Sequence, residues 1–235
     1  MAPLILAVET SGRTGSVALA RGEELLDEIA FSAPLRHSAE LFDSMNILLA
    51  RFKRKPADVA QIYISNGPGS FTGLRIAATF AKMMHLANKV KIVTVDSLDV
   101  IAANVDEYCQ QQGHAEKTAV ILDAKRGRFF VAVYENCSGS LQKKTLPTCL
   151  MTTQQFKQQF DTGDKEIWLL GEGLVYYKDS FKTENLHILD ESYWWPKAAM
   201  LHRLGWQMAQ HDQFTDALTL QPAYLQRPDI KAKSY

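Results

Sequence analysis

Leu4 to Val8 is an unbroken apolar run, LILAV, of the length of a buried strand. Turn-forming residues follow in ETSGRTG, and SVALA (Ser16 to Ala20) resumes a strand. Arg21-Gly22 turns the chain and Leu25 to Phe31 forms a third strand, so the chain opens on a β-meander. From Ser38 to Phe52 the period changes to that of a helix, with Leu41, Phe42, Met45, Leu48, Leu49 and Phe52 on one face. Ser38 stands at the N-cap, Glu40 in the first turn, and Lys53, Arg54 and Lys55 at the end before Pro56. A strand at Ile62 to Ser65, a helix from Gly73 to about Ala87, a strand at Val90 to Val95 and a helix from Leu98 to Tyr108 complete the first half. Strand–helix–strand units of this kind predict parallel pairing beside the antiparallel meander.

The second half echoes the first. TAVILDAKRGRFFVAVYE (Thr118 to Glu135) reads strand, acid, basic turn, strand, with Asp123 in the place of Glu9. A third strand follows near Leu141 to Leu146, a helix over Thr153 to Phe160 and a strand over Glu166 to Leu170. A helix over Leu174 to Phe181, a strand at Leu186 to Leu189 and a last helix from Pro196 to about His211 complete it. The pattern divides the chain at 1–108 and 109–235, with the last helix packing back on the first domain. The polar end KAKSY reads as a frayed tail.

Lys+Arg and Asp+Glu both number 26, so the chain lacks the basic excess of a protein that grips nucleic acid unaided. No apolar run reaches the length of a membrane span, and MAPLILAVET lacks the basic start of a secretory leader. Cys109, Cys137 and Cys149 are odd in number and not spaced as C-x-x-C, so they read as packing residues of a reduced, cytoplasmic protein.

Matching stretches resemble the bacterial TsaB family, also called YeaZ, in order along most of the chain. They are ILAVETSGRTGSVAL, RHSAELF, GPGSFTGLRIAATFAK, TVDSLDVIA, LDAKRGRFFVAVY and QPAYLQRP. The resemblance implies two tandem actin/sugar-kinase/Hsp70-like (ASKHA, RNase H-like) α/β domains, the second reduced. It implies a non-catalytic partner of TsaD, the related subunit carrying the active site. With the small ATPase TsaE, these subunits install threonylcarbamoyl on adenosine 37 of tRNAs that read codons starting with A. It implies no cofactor of the chain's own, with ATP or ADP, Mg and metal on partner subunits or at the subunit joint. A homodimer in isolation, and tRNA contact only within the complex, belong to the same expectation.

Against that frame stand the residues with chemistry. Gly67, Gly69, Ser70, Thr72 and Gly73 sit between a strand and a helix, where backbone amides can hold an anion. The spacing has one residue too many for the dinucleotide fingerprint and no Gly-Lys-Ser/Thr for a P-loop, which favours a turn fixed for shape. Glu9, Thr10 and Ser11 hold the position at which phosphate-handling members of the superfamily meet a phosphate. The acid there is usually Asp, and the extra methylene of Glu9 disturbs a metal–water geometry. His37 has Leu41, not a second histidine, four residues on, which opposes the metal site of TsaD and a metallopeptidase alike. An autonomous ATP-dependent phosphotransferase is the other rival. No catalytic residue and no metal site are expected.

The helix from Gly73 is apolar over at least half its circumference, more than one sheet face requires. With the resemblance, this assigns Leu41, Met45, Ile47, Leu48, Ile76, Ala77, Phe80, Met83 and Met84 to a partner-binding face. A charge at Phe80 or Met84 is expected to abolish partner binding in a chain that still folds.

Overall fold

The computed structural model describes residues 2–32, 37–111, 114–137, 140–163 and 165–223, without the side chains of 37, 38, 136, 137 and 140–142. The expected tail, the end of QPAYLQRP, and the side chains of His37 and Cys137 lie outside what is described.

The first sheet is built from β1 (Leu4–Glu9), β2 (Ser16–Arg21), β3 (Glu24–Ala30), β4 (Val59–Gly67) and β5 (Lys91–Asp96). Its order is β3-β2-β1-β4-β5, with β1 antiparallel to β2 and parallel to β4. β1 and the first five residues of β2 are buried, because helices cover both faces and no position of these runs faces water. On one face lie α1 (His37–Arg51) and α2 (Phe71–Asn88), packed on Leu6, Val8, Val17 and Leu19. Arg51 ties the end of α1 to Asp27 of β3 at 2.6 Å.

β5 leads into α3 (Ser97–Ala102), capped by the Asp96 carboxylate on the Leu98 N–H, and α4 (Val105–Gln111) follows. The single helix expected over Leu98 to Tyr108 is therefore two. Asn104 at the break donates to the carbonyls of Tyr193 and Trp195, which anchors the bend in the other half of the chain. The division expected after residue 108 falls inside α4.

The second sheet comprises β6 (Lys117–Asp123), β7 (Arg128–Cys137), β8 (Ser140–Thr152), β9 (Ile167–Leu170) and β10 (Leu186–Ile188), ordered β10-β9-β6-β7-β8. Read from its own first strand, this is the topology of the first sheet, strand for strand and direction for direction. The echo in the sequence is thus an internal repeat of topology, and the chain is two tandem α/β domains of one strand order. The second is reduced: α5 (Thr153–Phe160) and α6 (Leu174–Tyr177) are short.

The last helix, α7 (Ala198–Gln210), lies on the first sheet rather than the second. Ala198, Leu201 and Leu204 join Ile5, Ala7, Ala18 and Tyr63 in one core, while Leu98, Ile101 and Ala102 of α3 enter the core of the second sheet. Each half is completed by a helix on the far side of the chain.

Candidate functional site

Glu9 ends β1 with its side chain wholly buried. One carboxylate oxygen accepts the Ser11 N–H at 2.6 Å and the other accepts the Ser65 hydroxyl of β4. Burial pushes the carboxyl pKa above its usual range, against the pull of these hydrogen bonds. Thr10 and Ser11 are buried too, and Thr10 Oγ1 donates to the carbonyl of Gly73 at 2.8 Å.

The loop before α2 clamps this turn. The Ser70 N–H donates to the Ser11 carbonyl at 2.7 Å, and Ser70 Oγ caps α2 by accepting the Gly73 N–H at 3.2 Å. A Cβ at Gly73 would overlap the Thr10 carbonyl oxygen and one at Gly69 the Ser11 carbonyl oxygen, so these glycines let two backbones touch. Ser70, not Thr72, is the cap. Pro196 closes the turn from the other half, because a Cβ at Gly12 would sit 2.9 Å from its ring. Glu9, Thr10, Ser11 and the glycine loop therefore bond to one another. Their sealed geometry does not fit a nucleotide phosphate against Glu9.

The second half holds the counterpart. Asp123 accepts the N–H of Lys125, two residues on, at 2.9 Å, as Glu9 accepts that of Ser11. Gly67 ends β4 and Gly171 follows β9 with φ of 111° and 112°; a Cβ at Gly69 would meet the Ser11 oxygen of the acid turn, and one at Gly173 the Ile121 oxygen of β6. GEG (Gly171 to Gly173) is thus the structural repeat of GPG (Gly67 to Gly69), a relation that short, dissimilar residues between the glycines hide. Glu172 reaches across to the first half and accepts the Arg13 N–H at 3.0 Å. Burial raises its carboxyl pKa, offset in part by Arg13 and Lys125. The sequence pattern did not single it out; its signal was the matched glycine spacing at the ends of β4 and β9.

Among the described residues, no three His, Cys, Asp or Glu side chains converge as metal ligands, and no helix is long and apolar enough to cross a membrane.

On the outer face, α1 and α2 flank an apolar groove of about 420 Å³ lined by Phe42, Phe71, Ile76 and Met83. The assignment of Leu41, Met45, Leu48, Ala77, Phe80 and Met84 to an open face is corrected here. All six lie in this chain's own core, at most 9% exposed, because they point at the sheet. Ile47 and Met83 are 47% and 53% exposed, and Ile76 is half-buried. Phe42 and Leu86 are also exposed, at 45% and 67%, as is Phe71 at the start of α2. Phe42 rests edge-on against Phe80 with ring centroids 5.6 Å apart, and the Arg75 guanidinium lies 3.8 Å over Phe71. Sequence periodicity put Phe42 on the core side, one position from its true neighbours.

The family model TsaD, tRNA N6-adenosine threonylcarbamoyltransferase, matches residues 31–227. The tRNA threonylcarbamoyladenosine biosynthesis protein TsaB of Bacillus subtilis (strain 168) is 28% identical over 174 residues, 74% of this chain and 73% of its own. The protein of the same name from Escherichia coli (strain K12) is 21% identical over 94% of both chains. The solved structure of YeaZ from Pseudomonas aeruginosa shares the fold with a TM-score of 0.79 and 23% identity, over 95% of this chain and all of that one. The chain belongs to the TsaD family of tRNA N6-adenosine threonylcarbamoyltransferases, and within it to the TsaB/YeaZ proteins.

Proposed function

We propose that this chain serves threonylcarbamoyladenosine synthesis as the non-catalytic subunit that activates the transferase. It heterodimerises with TsaD and helps recruit TsaE, and the complex modifies adenosine 37 of tRNAs that read codons starting with A. The observation that carries this reading is the apolar groove of Phe42, Phe71, Ile76 and Met83 between α1 and α2, with Ile47 and Leu86 exposed elsewhere on the same two helices. Covering a large apolar side chain gains about 1.5–3 kcal/mol, so a few of them suffice to anchor a stable partner. The sealed Glu9 turn supports the absence of chemistry in this subunit. ATP or ADP, Mg and metal then belong to the partner subunits or the subunit joint, and tRNA meets this chain only inside the complex. In isolation the same face pairs two copies. The site of action is the cytoplasm.

The test is a binding titration with TsaD. Met83→Glu and Ile47→Glu are expected to weaken the complex about 100-fold, since a charge enters the centre of an apolar contact. Unchanged affinity of both variants removes this face from the interface. ATP hydrolysis by the isolated chain, lost on Glu9→Gln, restores the phosphotransferase reading.

A further inference from the structure

Two neighbouring helix ends carry cations that the chain itself leaves unused. After α1, Lys53 turns the chain at a φ of 51°, and the Arg54 N–H reaches back to the Leu49 carbonyl at 2.8 Å. After α2, Lys89 turns it at a φ of 58°, its own N–H donating to the His85 carbonyl at 2.8 Å. Both are left-handed positions, which glycine holds most readily and a longer side chain holds at a cost. Each is a lysine all the same. The Asn88 side-chain amide donates to the Pro56 carbonyl at 2.9 Å and fixes the two ends side by side.

Lys53, Arg54, Lys55 and Lys89 are all exposed there. None of the four meets a carboxylate among the described residues, whereas Arg51, Lys182 and Lys197 each lie 2.6–2.7 Å from one. The acid of this stretch is Asp58, and one of its oxygens accepts the Lys55 N–H at 2.9 Å. Four cations thus stand against one carboxylate in a chain of zero formal net charge. The helix dipole favours a cation at each end, but that effect is small, screened by salt, and does not call for four. The patch continues the surface on which α1 and α2 carry their groove, past Met83 and Leu86 of α2.

We propose that Lys53, Arg54, Lys55 and Lys89 hold the phosphate backbone of the tRNA while the partner subunit carries out the transfer. The patch takes backbone rather than bases, since the ring beside it, Phe52, packs on the core. Four phosphate contacts are few, so the chain alone binds weakly and the complex supplies the remainder. The identity of the RNA rests on the subunit reading above.

The test titrates an unmodified tRNA transcript into the complex with TsaD at several salt concentrations. Replacing all four cations with glutamine should lower tRNA affinity about 30-fold and flatten the slope of log affinity against log salt by about 3. Affinity for TsaD should stay that of the parent, because the groove is untouched. As a control, Lys165→Gln, Lys178→Gln and Lys182→Gln together remove three exposed cations of the second half and should change neither quantity. If the parent forms no complex with TsaD, the subunit reading falls and the patch is judged alone. In about 20 mM salt the isolated chain should then retain tRNA and the fourfold variant should not. Unchanged affinity and slope in the fourfold variant overturn the proposal. An equal loss from the control set, or a loss traced to weaker TsaD binding, does the same. Phosphatidylglycerol vesicles that capture the parent but not the variant, with tRNA affinity equal in both, would assign the patch to a membrane instead.

Discussion

The two halves use one strand order and finish their outer surfaces differently. In the second, Phe129, Phe156 and Phe181 stack edge to face at 5.4–6.0 Å, so the short α5 closes its sheet with aromatic rings. In the first, α1 and α2 run 15 and 18 residues, longer than the sheet beneath needs, and Ile47, Met83 and Leu86 face water. The acid turns differ in the same sense. Glu9 is enclosed by its own loop, whereas Asp123 shares its oxygens with Lys125 and Tyr177 near the surface. Hydrogen bonding to Asp123 holds the Lys125 ammonium pKa above its usual value, and burial beside that carboxylate lifts Tyr177 to about 12. A duplicated fold thus supplies two similar frames, covered by helices of different length.

Substitutions in the two halves sharpen this contrast. Gly73→Ala should be the most damaging. Its Cβ meets a main-chain oxygen that cannot yield without separating loop from turn, and a loss above about 3 kcal/mol is expected in a denaturant titration. Gly173→Ala, whose Cβ would lie 2.8 Å from the Ile121 oxygen, should cost less, about 2 kcal/mol. An equal loss at the two sites would erase the distinction between a clamped and a looser turn.

Phe80 and Met83 make the comparison within one helix. Phe80→Glu forces a charge into the core and should cost about 3 kcal/mol or more, while Met83→Glu should stay within about 0.5 kcal/mol of the parent. Near-equal melting of these two variants would mean that the face described as open is covered within the chain.

Glu9→Gln isolates the enclosed acid. The folded protein holds the Glu9 proton to higher pH than the unfolded chain does, so stability falls as pH rises from the ordinary carboxylate range through the raised pKa. The neutral variant lacks that fall. It should melt above the parent at pH 8, with the gap narrowing towards pH 4. A gap that widens on acidification would assign Glu9 a lowered pKa instead. Gly127→Ala should have the smallest consequence, about 1 kcal/mol from a φ of 71° in open space.

Much of this architecture was legible in the residues. LILAV and SVALA lie within β1 and β2, and α1, α2 and α7 begin and end within two residues of the periodic pattern. The matched acids Glu9 and Asp123 disclosed the repeat. What stayed hidden depended on relations across the chain. On α2, Phe80 and Met83 are equally apolar, and nothing local tells which one meets the sheet. The break between α3 and α4 needs the carbonyls of Tyr193 and Trp195, some ninety residues away. The role of Glu172 needs the Arg13 amide on the opposite half.

The placement of α7 has a consequence for biosynthesis. Synthesis from the amino end delivers all five strands of the first sheet by residue 96, yet the covering for Ile5, Ala7 and Ala18 leaves the ribosome only after residue 198. For the interval between, the nascent chain carries a greasy half-built sheet that a holdase chaperone can occupy. A release of the chain truncated before Ala198 would leave that surface permanently bare.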